Sequence, residues 1–176
     1  MQKRSPFSVP LILQFILFLI PINIFVIGDW LATGIQWALF RYQQSYLGNS
    51  FIIFTKDMYY IRQGFIFGRS AFAAGMNTAA SSLLLLAFIV FLFIGFIESA
   101  SLVKIGAIIT ITGGCFFLLS DLIQYGILFH GPAGFTIPLG VPAVLVTGWF
   151  IYQLEFPDTH GDQSGEEEIS GSDETV

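Results

Sequence analysis

The sequence predicts an all-α integral membrane protein: four transmembrane helices, an amphipathic membrane-surface segment between the first and second, and a disordered acidic C-terminal tail. Three observations carry that prediction. Residues 9–28, 70–97 and 131–154 contain no Asp, Glu, Lys or Arg, and a bilayer core takes about 20 apolar residues as a helix; a fourth stretch, 105–129, is interrupted only by Asp121. The 176-residue chain is 55 % hydrophobic and 11 % charged, against roughly 25 % charged in an ordinary soluble domain, so there are too few charges to coat a water-soluble body. Eight of the twelve acids lie from Glu155 onward, which leaves residues 1–154 with four acids against seven bases, a basic body suited to anionic headgroups.

Residues 1–8 form a basic flank with Lys3 and Arg4. The apolar run that follows resembles a signal peptide, but no small-x-small cleavage site precedes Asp29-Trp30, so 9–28 is expected to remain as the first transmembrane helix. Pro21 should kink that helix, a defect neighbouring helices can compensate.

Residues 29–69 hold two of the three Trp and four of the six Tyr and are expected to lie on the membrane. A helix N-capped by Asp29 would put Thr33, Gln36 and Gln43 on one stripe, interrupted by Phe40, with Trp30, Leu31, Ile35, Trp37 and Tyr42 around it. Lys56, Arg62 and Arg69 recur at the six- and seven-residue spacing of a cationic interfacial helix. The competing reading makes 51–55, 58–62 and 65–69 short strands, on their aromatic and β-branched content and the Gln63-Gly64 turn signal. Helix is preferred. Trp30, Trp37, Lys56, Arg62 and Arg69 are the expected membrane-surface residues.

The second transmembrane helix is expected over 75–97 and the third over 103–129, joined by a connection short enough to force an antiparallel hairpin. A tight turn at Gly131-Pro132-Ala133-Gly134 leads into the fourth, 135–154, whose Trp149 and Tyr152 mark an interface. Residues 155–176 are too polar to offset their ordering entropy. Lys3 and Arg4 before the first span, with Asp29 after it, favour cytoplasmic termini in a cell-membrane protein, although counting cations over all loops nearly ties.

Asp121 is the most suspicious residue, because an ionisable group within a transmembrane segment is costly and usually faces a partner or water. Gln124 and Tyr125 share its helix face at i+3 and i+4, so the three form a candidate intramembrane polar site. Gln14 and Asn23, with Gly106, Thr110, Gly113 and Gly114, read as helix-packing residues: the amides hydrogen-bond across helices and the small residues let backbones approach.

No catalytic constellation is legible. Cys115 is the lone cysteine and His130 and His160 the only histidines, Gly-x-Ser-x-Gly is missing, and nothing calls for a cofactor, a metal or nucleic acid. Four spans occur in many unrelated groups. The cysteine pairs of disulfide-forming quinone reductases and the first-span carboxylate of small multidrug exporters are both missing here. Function is therefore expected to be non-catalytic, by association with a membrane-protein partner or by self-association in the bilayer, as accessory subunit, assembly factor or scaffold. The alternative is a small oligomeric transporter or channel with Asp121 in the pathway.

Overall fold

The computed structural model describes residues 8–28, 30–97 and 99–154. It overturns the all-α layout: five helices accompany a six-stranded antiparallel sheet. In chain order the elements are α1 (Ser8–Leu19), β1 (Asn23–Ile27), β2 (Ala32–Gln36), β3 (Phe40–Ser45), β4 (Gly48–Ile53), α2 (Thr55–Arg62), α3 (Gly68–Ile97), α4 (Ala100–Tyr125), β5 (His130–Gly131), β6 (Gly134–Ile137) and α5 (Gly140–Gln153).

The expected first span breaks at Pro21. Helix α1 stops at Leu19, because proline disfavours helical backbone at the residue before it and has no N–H to continue the ladder. The next apolar residues, Asn-Ile-Phe-Val-Ile, rich in β-branched side chains, run as β1. The surface segment corrects in the same direction. Its polar stripe was drawn at helical spacing, yet residues 32–36 and 40–45 are strands, where alternation sends Thr33 to one face and Gln36 to the other. Of the three alternative strands, 51–55 overlaps β4, while 58–62 belongs to α2 and residues 68–69 open α3. The expected cap, Asp29, and the tail at 155–176 lie outside the described residues.

The expected fourth span also divides. Gly131-Pro132-Ala133-Gly134 makes a tight turn, but one between strands: Gly131 pairs with Gly134, and the φ of +120° at Gly134 is one that L side chains rarely adopt. Strand β6 then pairs with β1 from the other end of the chain, which sets the sheet order β4-β3-β2-β1-β6-β5.

Helices α1, α3, α4 and α5 close a ring in which α1 and α4 each pack on α3 and α5. Two apolar clusters fill it. Leu17, Ile22, Ala38, Ala80, Leu84, Phe117, Val141 and Val144 lie nearer the sheet; Ala87, Phe91, Ile94, Val103, Ala107 and Ile151 lie farther away. Among the described residues only α3 and α4, of 30 and 26 residues, are long and apolar enough to cross a membrane. Helices α1 and α5 have 12 and 14 residues, about 18 and 21 Å at 1.5 Å per residue. The four-helix multipass reading therefore fails on length.

Gly106, Gly113 and Gly114 stand at the helix contacts. A Cβ at Gly106 would enter the Phe91 ring, one at Gly113 would sit 3.2 Å from Leu84 Cδ2, and one at Gly114 2.8 Å from Leu145 Cδ2. The amide of Gln14, fully buried, donates from Nε2 to the Leu84 carbonyl at 3.0 Å and accepts from Thr110 Oγ1 at 3.1 Å. Every polar atom of that side chain able to bond across the ring is engaged.

Candidate functional site

Strand register assembles the site. Asn23 pairs with Gln36, and Gln36 with Arg41, so three polar side chains stand abreast on the sheet face turned toward the helices. Each meets a polar group from a different helix. Asn23 Nδ2 donates to Asp121 Oδ1 of α4 at 3.0 Å. Gln36 Nε2 donates to Asn77 Oδ1 of α3. Arg41 grips Asp57 of α2 with both terminal nitrogens, at 3.1 and 2.7 Å.

The neighbouring row, Phe25 beside Gly34 beside Gln43, completes the sheet's contribution. Gly34 is required by packing: a Cβ there would fall 2.5 Å from both Phe25 Cζ and the Tyr42 carbonyl oxygen, so the Phe25 ring lies across the bare backbone.

Between this face and the helices is a cavity of about 260 Å³. From the sheet it is lined by Asn23, Phe25, Ile27, Gln36, Arg41 and Gln43; from α3 by Ser70, Ala73, Ala74 and Asn77; and from α4 by Ser120, Asp121, Gln124 and Tyr125. Ser120 Oγ donates to the Ala73 carbonyl at 2.9 Å, tying the two helices together at the cavity. Ile27 and Ser70, both exposed, form part of the rim.

Three side-chain atoms of residues that line the cavity have no hydrogen-bond partner. Asn23 Oδ1, Asp121 Oδ2 and Arg41 Nε are buried without a hydrogen bond, although Asn23 and Asp121 are each only 4 % exposed. Buried polar atoms are almost always satisfied, and leaving one unmet costs about 1–3 kcal/mol. Arg41 and Asp57 form a two-point ion pair. Burial nevertheless raises the Asp57 carboxyl above its ordinary value, outweighing the attraction of the guanidinium that opposes it.

Asp121, Gln124 and Tyr125 thus come together on one cavity wall. Helix α4 ends at Tyr125 rather than 129, with Gly126 at φ +88° closing it, so Asp121 is about 6 Å inside the helix end. Asn23, expected to pack between helices, instead projects from a strand into the site. The surface residues scatter. Lys56, Arg62 and Trp30 are exposed, but the Trp37 indole N–H donates to the Leu19 carbonyl at the end of α1, at 3.2 Å. The Arg69 guanidinium bonds the Ile123 and Leu122 carbonyls at the end of α4, a favourable place for a cation on a helix dipole. Gln36, Arg41, Gln43 and Asn77 line the cavity and Asp57 holds Arg41, and sequence reasoning assigned none of them to the site. Strand alternation between Arg41 and Gln43 is the one signal that could have pointed to two wall residues.

Comparison of the chain with protein-family models, with curated proteins and with solved structures returns no match.

Proposed function

We propose that this is a membrane-embedded binding protein, in which α3 and α4 cross the bilayer and the cavity between sheet and helices receives a small polar molecule. The polar lining of the cavity carries the reading: Asn23, Gln36, Arg41, Asn77, Asp121 and Gln124 converge on one space. A cavity with a few convergent polar groups among apolar walls is the usual form of a small-molecule site. Support for the bilayer comes from the outward helix faces. Leu86, Ile89, Leu92, Phe93 and Ile97 of α3 and Ile105, Ile108 and Leu119 of α4 are exposed, and only 39 % of each span's apolar window is buried. Water would tolerate so continuous an apolar surface poorly.

Transport through a single chain is not favoured by this packing. Beyond the cavity the ring is filled by buried Leu17, Ala80, Leu84 and Phe117, and Gln14 is fully engaged.

The test is a thermal-unfolding panel on the purified full chain in detergent, with small cations, zwitterions, anions and polyols as separate classes. A saturable rise in Tm from at least one class, abolished in the cavity-filling variant Ala74→Phe, is expected. No rise from any class would overturn the binding reading.

A second reading, self-association or assembly with another membrane protein, is favoured by the opposite sheet face. There Ile137, Ile24, Ile35, Tyr42 and Phe51 fall in one cross-strand row, with Ile137, Tyr42 and Phe51 exposed. The double variant Tyr42→Asp, Phe51→Asp should reduce any assembly seen by native mass; an unchanged mass distribution would remove this reading.

A further inference from the structure

We infer that the outer edge of β4 is a docking site for an extended segment of another protein, which joins the sheet as a further strand. The inference rests on the assembly reading above and names the contact through which a partner is held.

The two edges of the sheet are built differently. At one edge stands β5, with only two residues, too short to template pairing. At the other stands β4, six residues long, Gly-Asn-Ser-Phe-Ile-Ile. It pairs one-to-one with β3 from Phe40–Ile53 to Ser45–Gly48, so no bulge bends it away, and it contains no charge and no proline. Gly48, Asn49, Ser50, Phe51 and Ile53 are exposed. A bulge, a lysine and a proline are usual protections of an edge, and β4 has none of them.

Ladder alternation identifies the open backbone groups. The Phe54 N–H donates to the Leu39 carbonyl at 3.1 Å, and Leu39 opposite Phe54 continues the register of β3 and β4. Ile52, Ser50 and Gly48 therefore share with Phe54 the side turned to β3. The N–H and C=O groups of Asn49, Phe51 and Ile53 point the other way. No strand pairs with them there, and among the described residues no backbone bond beyond the sheet ladders reaches them. Donors and acceptors recurring at every second residue, about 7 Å apart, match an extended backbone.

Side chains and charge narrow the occupant. Phe51 and Ile53 are 56 % and 46 % exposed, on the sheet face opposite the helices, so apolar residues at alternate positions of the added strand would cover them. Lys56, three residues past the strand, is exposed, whereas Asp57 is buried and paired with Arg41. The occupant is an uncharged strand with an acidic residue at the end that reaches Lys56. An open edge is not tolerated in hydrocarbon, so with α3 and α4 across the bilayer the edge stands clear of it, where an extended segment can reach.

The experiment titrates the full chain in phosphatidylcholine nanodiscs with a short fluorescent peptide, read by anisotropy. The peptide alternates valine and threonine and carries aspartates at its N-terminal end, which an antiparallel strand brings to Lys56. Saturable binding is expected, lost in the fully N-methylated peptide and weakened about tenfold or more by Asn49→Pro, which deletes an outward N–H but no bond to β3. Ser50→Ala should bind as the native chain does, and lysines in place of the aspartates should weaken binding, most at low salt. The unfolding transition of Asn49→Pro verifies that it folds; Ile53→Lys places a charge on the same edge and is expected to weaken binding as well. No saturable binding, or equal binding by the N-methylated peptide or by both edge variants, would overturn the inference. So would a dimer of the chain alone that Asn49→Pro dissociates, since the edge would then belong to a second copy. An assembly that Tyr42→Asp, Phe51→Asp breaks, in a chain that does not bind the peptide, would retain the assembly reading and sink the edge.

Discussion

Gln14 and Asn23 are both amides, both buried and both face a helix, yet they sit in regions that treat polarity in opposite ways. At Gln14 the bonds close on themselves. Its amide nitrogen donates to the Leu84 carbonyl, and its oxygen shares the single Thr110 hydroxyl proton with the Gly106 carbonyl. At Asn23 one bond is made and one oxygen left over, beside a carboxylate in the same condition. The first arrangement locks helices together; the second ties a strand to a helix beside a cavity that both residues line. The contrast between these two amides separates a polar group shared among helices from one that lines a cavity.

Substitutions can break that contrast, beginning with the closed region. Gly106→Leu should have the largest effect, because even a Cβ there enters the Phe91 ring, and Phe91 is itself buried in the far core. A loss of about 3 kcal/mol is expected from overpacking, seen as a fall in Tm of about 6–12 °C; a Tm within 2 °C would show that the helices can separate there at little cost.

Gln14→Ala comes next. It removes both cross-helix bonds and opens a void, for a loss of about 2 kcal/mol, and ligand-dependent stabilisation should remain intact. Loss of that stabilisation in a folded variant would mean that the two regions are coupled.

Asp57→Asn is expected to cost about 1–2 kcal/mol, less than for a fully buried pair because Arg41 retains some solvent contact. It should also flatten the acid limb of the stability profile. The folded carboxyl binds its proton more tightly than the unfolded one, whose ordinary value is 3.8. Stability therefore falls as pH rises through the window just above 3.8, then levels once the folded carboxylate has ionised. Urea unfolding across that window should show the slope in the native chain and lose it in the variant; an identical slope in both would remove Asp57 as its source.

Asp121→Asn should be the mildest, within about 1 kcal/mol in either direction, since it exchanges one unmet acceptor for another polar group of the same shape. A large destabilisation measured by the same unfolding assay would place Asp121 in the framework rather than on the cavity surface.

The same distinction explains what could be read in advance. Asp121 stood out because a carboxylate in an apolar stretch is conspicuous, and Gln124 and Tyr125 followed from helical spacing. Asp57 and Arg41 gave no such signal, since charges in a short polar segment are ordinary. They matter because Arg41 shares a strand register with Gln36 and Asn23.

What the sequence determined by itself is local. The α3–α4 hairpin follows from long charge-free runs joined by a short connection, and the close helix contacts follow from glycines at Gly106, Gly113 and Gly114. The break at Pro21 was also legible, although a kink was the weaker outcome it suggested. The sheet was decided by tertiary structure. Residues 20–28 and 131–139 carry no charge, and a short apolar run does not by itself distinguish a buried strand from a helical turn. What selects the strand is a partner: Thr136 bonds the Ile24 carbonyl across 112 residues, and the backbone bonds of β1 are met only once β2 and β6 lie on either side of it. The cavity arises at that same step, because its polar row exists only when three strands are in register against the helices.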